Sequence, residues 1–394
     1  MTHPHRPATT IRTVPWFGAV QRFKRRYERL HPSVQQIGLQ LWMPTMFVVL
    51  FALCYVLPFR SPAPHDLRIG VVGSAAAQQV DQALEKAAPG GYVVEEVDAV
   101  DAAALRSGAY AAVLDTSDAS HPELSVATAN SSSLAQIVEA TFRSAIESEG
   151  VVLTVDDVAP LPVTDGAGTV SLYVSLVAAI GGHLTGMFTA LMGGDLRRRA
   201  RIGIVVGTTA VLGTLAATLI DPVVGALPGR FPALWLLLVG TMTAVGLTTQ
   251  ALGYYFGRWV VAAGLISFVF LNVPASGGAV AVDLLPQPFR WLNHVVIAGG
   301  DVPFIHAASY DVGPGEWVGL TRIAAYIAFA LVITIPGPAY RHWRRSRRRR
   351  LGLPLGGMLE TAQSLKDELP PETTVISTLE PPRGASASGG PASG

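Results

Sequence analysis

Few residues of this 394-residue chain have both the type and the setting to do chemistry, and His183 is the first of them. It stands inside Gly182-His-Leu-Thr-Gly186, in the middle of an apolar run, while Thr241, Thr243, Thr248, Thr249 and Gln250 form a polar set inside another. Asp221 and Arg322 stand near the ends of two further runs. An ionisable group within a bilayer raises a functional reading by default, because burying it there is costly. His183, Thr248 and Gln250 are therefore candidates for lining a translocation path, with His183 available for proton coupling. The same residues have a packing reading. Gly182 and Gly186 have the GxxxG spacing that lets a second helix approach closely, and the hydroxyls and amide can bond neighbouring helices. The residues alone leave both open.

Other chemistry lacks its residues. There is no GxxxxGK[ST] phosphate loop, and the three lysines, Lys24, Lys86 and Lys366, avoid glycine-rich turns. GxSxG, HExxH and CxxC are absent, and His294 and His306 have no metal-site spacing. Gly-Val-Val-Gly73 lacks the third glycine of a nucleotide fingerprint and reads as a tight strand-to-helix turn. With Cys54 the sole cysteine, no intrachain disulfide or cysteine cluster can form. No catalytic residue, metal or cofactor is expected, any ATP hydrolysis would belong to a partner, and nothing points to nucleic acid.

The elements that position these residues are membrane helices. Half the residues are hydrophobic and 14% are charged. A bilayer core needs about 20 apolar residues as helix. Six segments approach that: Leu41 to Phe59, Val170 to Met192, Ile202 to Ile220, Phe231 to Tyr254, Trp259 to about Pro274, and Leu320 to Ile335. The fifth is the shortest in apolar length. Basic blocks precede the first, join the second to the third at Arg197, Arg198, Arg199 and Arg201, lie at Arg258, and follow the sixth from Arg341 to Arg350. All fall on one side only if six spans exist, and basic residues favour the cytoplasm. The expectation is a multi-pass protein of the bacterial cell membrane with both termini cytoplasmic.

Residues 1–40 carry Trp16, Val20, Phe23, Tyr27 and Leu30 on one helical face and basic residues on the other, predicting an interfacial amphipathic helix from Pro15 to His31. Residues 41–59 are the first span. Residues 60–168 alternate strand-like and helix-like runs in the order β-α-β-α-β-β-α-β, predicting a small extracytoplasmic α/β domain inserted between spans 1 and 2. It is acidic, with 16 Asp and Glu against 4 Lys and Arg from 61 to 167. Residues 169–340 hold spans 2 to 6. Residues 341–394 are a basic stretch and then a Pro-, Gly- and Ser-rich tail, disordered apart from a helix near Met358 to Leu369.

Residues 275–318 are too apolar for a plain loop. Pro274, Ser276 and Gly277 close the short fifth span. Leu285, Phe289, Leu292 and Val296 then share a helical face with Trp291 nearby, which predicts an amphipathic helix at the outer interface or a re-entrant hairpin. Gly299-Gly300 is expected to turn the chain into a second helical piece, N-capped by Asp301.

The layout from about residue 40 to 340, with Pro-Ala-Ser-Gly-Gly278 and Leu-Leu-Pro-x-x-Phe-Arg-Trp-Leu292 before the last span, resembles the type-2 ABC exporter permeases and their phage-infection-protein-like branch. The resemblance implies a half-transporter that pairs as a homodimer or heterodimer around a path closed by the outer hairpin. It also implies a separate ATPase docked at Asp195, Leu196, Arg197, Arg198 and Arg199. The cargo would be an amphipathic or cell-envelope molecule. The competing reading is a non-transporting envelope protein whose outer domain binds an assembly factor, a cell-wall component or a phage.

Overall fold

The computed structural model describes residues 41–351, apart from 61, 119, 148–150 and 195. The amphipathic segment Pro15 to His31, the segment Met358 to Leu369 and the loop residue Asp195 lie outside the described residues. The chain divides into two compact units, residues 46–344 and the flanking ends. The first of these holds the sheet and the helical bundle.

The described part is mostly helical with one small sheet. Helix α1 (Trp42–Phe51) continues through a π turn at Ala52–Val56 and a last turn at Leu57–Phe59. An α/β domain comes next: β1 (Leu67–Val72), α2 (Ser74–Ala87), β2 (Tyr92–Val97), α3 (Ala102–Ser107), β3 (Ala112–Asp115), β4 (Glu123–Val126), α4 (Ser132–Glu147) and β5 (Thr154–Asp157). The element order is the expected one. Sheet order is β2-β1-β3-β4-β5, with β3 and β4 the one antiparallel pair. The β1–α2–β2 crossover brings α2 to the same face as α4, where Leu84 and Phe142 join Ile69 and Leu114 in one core. On the other face Leu105 of α3 packs with Val113.

The helical bundle comprises α5 (Val170–Met192), α6 (Arg198–Thr218, with a π turn at Leu219–Val223), α7 (Phe231–Phe256), α8 (Val260–Leu265, with a π turn at Ile266–Phe270) and α11 (Trp317–Thr334). Between α8 and α11 lie α9 (Gln287–Asn293) and α10 (Ala298–Ile305, with a π turn at His306–Tyr310). Helix α12 (Gly337–Arg350) comes last. Four stretches are long and apolar enough to cross a membrane: 170–192, 198–223, 231–270 and 317–334. Pro44–Val56 is a shorter apolar helix. Stretch 231–270 is not one rod, because Gly257 adopts φ 59° and a 3₁₀ turn at Gly257–Trp259 reverses the chain. Helix α8 then runs back along α5, as the place of Gly264 beside the His183 ring shows.

Close helix contacts come from glycine. A Cβ at Gly182 would meet the Met242 carbonyl oxygen at 2.5 Å, and one at Gly186 the Gly246 oxygen at 2.2 Å. The α5 and α7 backbones therefore touch, which suits a bundle with no hydrophobic drive from water to hold it. Large apolar side chains of α6 and α11, such as Val211, Leu215, Phe329 and Val332, are exposed, as lipid-facing positions are.

Candidate functional site

Residues 271–310 form the least regular part of the bundle. Helix α8 and its π turn run only from Val260 to Phe270, about 16 Å at 1.5 Å per residue. That is half of what a bilayer core requires. The chain continues as irregular backbone through Val273, Pro274, Ala275 and Ser276, all buried. Irregular backbone at such depth needs partners inside the protein. Asn293 Nδ2 donates to the Ala275 carbonyl at 2.7 Å and to that of Ser276 at 3.3 Å. Asn272 Oδ1 accepts from the Ala298 N–H at 2.9 Å, and Ser276 Oγ donates to the Val273 carbonyl at 2.8 Å. Gly277 turns the chain at φ 83°.

The amphipathic helix is present but shorter than Pro286 to Val296. Its apolar face points into protein: Leu285 is fully buried, and Phe289, Val296 and the half-buried Leu292 pack on Ala275 and Phe59. Trp291, on the opposite side, is 76% exposed. Arg322 of α11 donates to the Asn293 carbonyl at 2.9 Å and the Val296 carbonyl at 2.6 Å. A cation at the end of α9 complements the helix dipole and its free carbonyls.

Gly299-Gly300 is not a turn. Both residues lie in the first turn of α10, where a Cβ on Gly299 would strike the Asn293 oxygen at 2.2 Å and one on Gly300 the Arg322 Cβ at 2.7 Å. Nor does Asp301 cap the helix, whose N-cap is Ile297. Instead Asp301 is fully buried, accepting from Ser175 Oγ at 2.7 Å and from Thr241 Oγ1 at 2.8 Å. The glycines bring α10 against α9 and α11, and that seats Asp301 between α5 and α7.

The hairpin also joins the α/β domain. Ala281 and Leu284 belong to the domain's larger core and Val312 to its smaller one. The Ala281 N–H donates to Ser133 Oγ at 3.0 Å, and the Gly313 N–H to the Arg106 carbonyl at 2.7 Å. Arg290 pairs with Asp66 at 3.3 Å, and Tyr310 donates to Asp165 Oδ2 at 2.6 Å. His306 lies at the junction, 3.1 Å from Ser171 Oγ, and bonds the Asn130 backbone. Burial holds its imidazole down at about 4, against the weaker upward pull of Asp165. A cavity of about 550 Å³ remains between domain and hairpin, with Arg68, Tyr110, Asn130, Asp283, Asn293 and His306 among its walls.

The residues proposed for a path are buried between helices. His183 Nδ1 is 3.3 Å from Thr249 Oγ1, its ring lies 6.2 Å from that of Phe268, and Nε2 has no hydrogen-bond partner. Thr248 Oγ1 donates to the Ala244 carbonyl at 2.8 Å, and Gln250 is buried. Leu196, Arg197, Arg198 and Arg199 lie exposed at the bundle end remote from the domain. Arg201 does not join them. It is buried, donating to Tyr254 Oη at 3.1 Å and stacked over that ring at 4.8 Å. Among the described residues no group of three His, Cys, Asp or Glu could hold a metal ion. Compared with known protein families, curated proteins and solved structures, the chain gives no match.

Proposed function

We propose that the chain is a six-span permease subunit resembling the type-2 ABC exporters, moving an amphipathic or cell-envelope molecule outward with a separate ATPase. One observation carries this reading: residues 271–310 break off a half-length α8, fold back into the bundle and end beneath the α/β domain. Such a plug at one mouth suits a transported molecule better than a passive anchor. The number of crossings has independent support. The contacts Phe47–Phe270, Thr209–Thr243 and Gly240–Ile323 suit an arrangement in which α1, α6 and α8 run toward the domain and α5, α7 and α11 away from it. In that arrangement Arg197, Arg198, Arg199, Arg258, Arg341 and Arg344 share the end away from the domain, which the positive-inside rule would make the cytoplasmic one.

The test has two parts. Affinity purification of the full chain in mild detergent, with mass spectrometry, should recover an ATPase whose binding is lost when Leu196 to Arg199 become alanine. Transport should fall when Leu285, Phe289 and Leu292 are truncated together. Unchanged transport in that variant would sink the hairpin's role.

A second reading is favoured by a separate feature. A groove of about 380 Å³ lies between α2 and α4, walled by Val80, Leu84, Phe142 and Ile146. It suits an envelope protein whose domain binds a partner. Retained function after alanine replacement of Leu196 to Arg199, with no ATPase recovered, would favour it.

A further inference from the structure

The carboxylate that the sequence reading makes the N-cap of a short hairpin helix sits within the helical bundle. Asp301 has no exposed surface. Its two oxygens each receive one hydroxyl, Ser175 Oγ from α5 and Thr241 Oγ1 from α7. We propose that Asp301 is a proton-binding site of the bundle, whose occupancy sets how firmly α10 is seated between α5, α7 and α11. This goes beyond the permease reading and does not depend on an ATPase.

An ionised carboxylate in such a place is costly unless a cation pairs with it. Asp301 forms no ion pair within 4.0 Å among the described residues. The nearest cation is Arg322 of α11, but its Nη1 is engaged by the carbonyls of Asn293 and Val296. Tyr326, also on α11, donates to the Val295 carbonyl at 2.9 Å. Beyond Ser171 and Ser175, the buried ionisable group of α5 is His183, two turns further on, and Tyr173 is exposed. Thr241 is the α7 partner. On the π turn after α10, His306 and Tyr310 are engaged by Ser171 and Asp165.

A proton removes the charge without disturbing the cage. A hydroxyl can donate to the carboxylate or accept from the carboxylic acid by rotating its hydrogen, so Ser175 and Thr241 satisfy Asp301 in either state. A metal cation fits less well. The two hydroxyl oxygens stand at hydrogen-bond distance from the carboxylate, and a hard cation would need several more oxygens in the gap. Loss of the proton leaves a charge that two hydroxyls bond but no cation pairs, set between three helices, and the short α10 that carries it is the element expected to shift.

Infrared spectroscopy of the full-length protein in lipid nanodiscs, titrated over pH, tests this. The expected result is a protonated-carboxyl band near neutral pH that vanishes in Asp301→Asn and shifts in frequency in Ser175→Ala or Thr241→Ala. Aspartate labelled at the carboxyl carbon shows whether the wild-type band comes from an aspartic acid, whether or not the variants fold. Melting temperature gives a second readout: wild type should lose stability relative to Asp301→Asn as pH rises. Absence of the band at every pH, its persistence in Asp301→Asn, or its abolition by sodium ions would overturn the proposal.

Discussion

At the scale of single residues, backbone contact and buried charge decide which positions are sensitive. Gly186 stands where a Cβ would lie 2.2 Å from the Gly246 oxygen, whereas Gly203 of α6 faces open space. Gly186→Ala must force α5 and α7 apart and should cost about 1–3 kcal/mol. Gly203→Ala should be neutral or stabilising, since Ala is the better helix former. Thermal unfolding in detergent separates the two. His306, at the domain junction, gives a pH signature. Its ordinary value is 6.5 and its folded value about 4, so the unfolded chain binds the extra proton between those limits. The His306 contribution to stability is therefore full above pH 6.5 and declines as pH falls toward 4, by up to about 3 kcal/mol. His306→Gln should flatten that part of the profile. Neither the His306 environment nor the seat of Asp301 was legible in the sequence. Both depend on contacts more than 125 residues apart, Ser171 with His306 and Ser175 with Asp301. One local sign existed: Gly299-Gly300 ahead of Asp301 marks close backbone approach as readily as a turn.

At the scale of elements, regular periodicity was readable and broken periodicity was not. The eight elements of the α/β domain follow from alternation and helical spacing, since each is local. The face of α9 was also legible, as Leu285, Phe289, Leu292 and Val296 do lie together. The partner of that face was not, because an apolar stripe looks the same against lipid and against Phe59 and Ala275. The difference can be measured. Leu285→Ala and Phe289→Ala remove buried side chains and should each cost about 2–5 kcal/mol, seen as lowered melting temperatures. Trp291→Ala, at an exposed site, should leave that temperature nearly unchanged. It should instead weaken retention in the bilayer interface, where tryptophan is enriched. Similar losses in all three variants would mean that α9 lies in lipid on both faces.

At the scale of the whole molecule, the α/β domain is not an appendage. Its cores are completed by Ala281, Leu284 and Val312, which come after it by more than 100 residues. The same hairpin completes the bundle through Ile297, Phe304 and Ile305. One segment is thus shared by the domain and the bundle, and the packing of neither is whole without it. Removing residues 62–165 should therefore expose the inner side of residues 279–284 and release α9, so the deletion should not yield a merely domainless transporter. The expected outcome is faster proteolysis within 275–318 and a lower melting temperature for the remaining helices. Calorimetry of the intact protein offers the complementary reading. A domain and a bundle locked through one hairpin should melt in a single cooperative transition, whereas a domain tethered by linkers would melt on its own. A separate low-temperature transition assigned to residues 62–165, with the bundle unaffected, would break the coupling. Cargo or partner binding at the domain would then have no mechanical route through this hairpin to the helices.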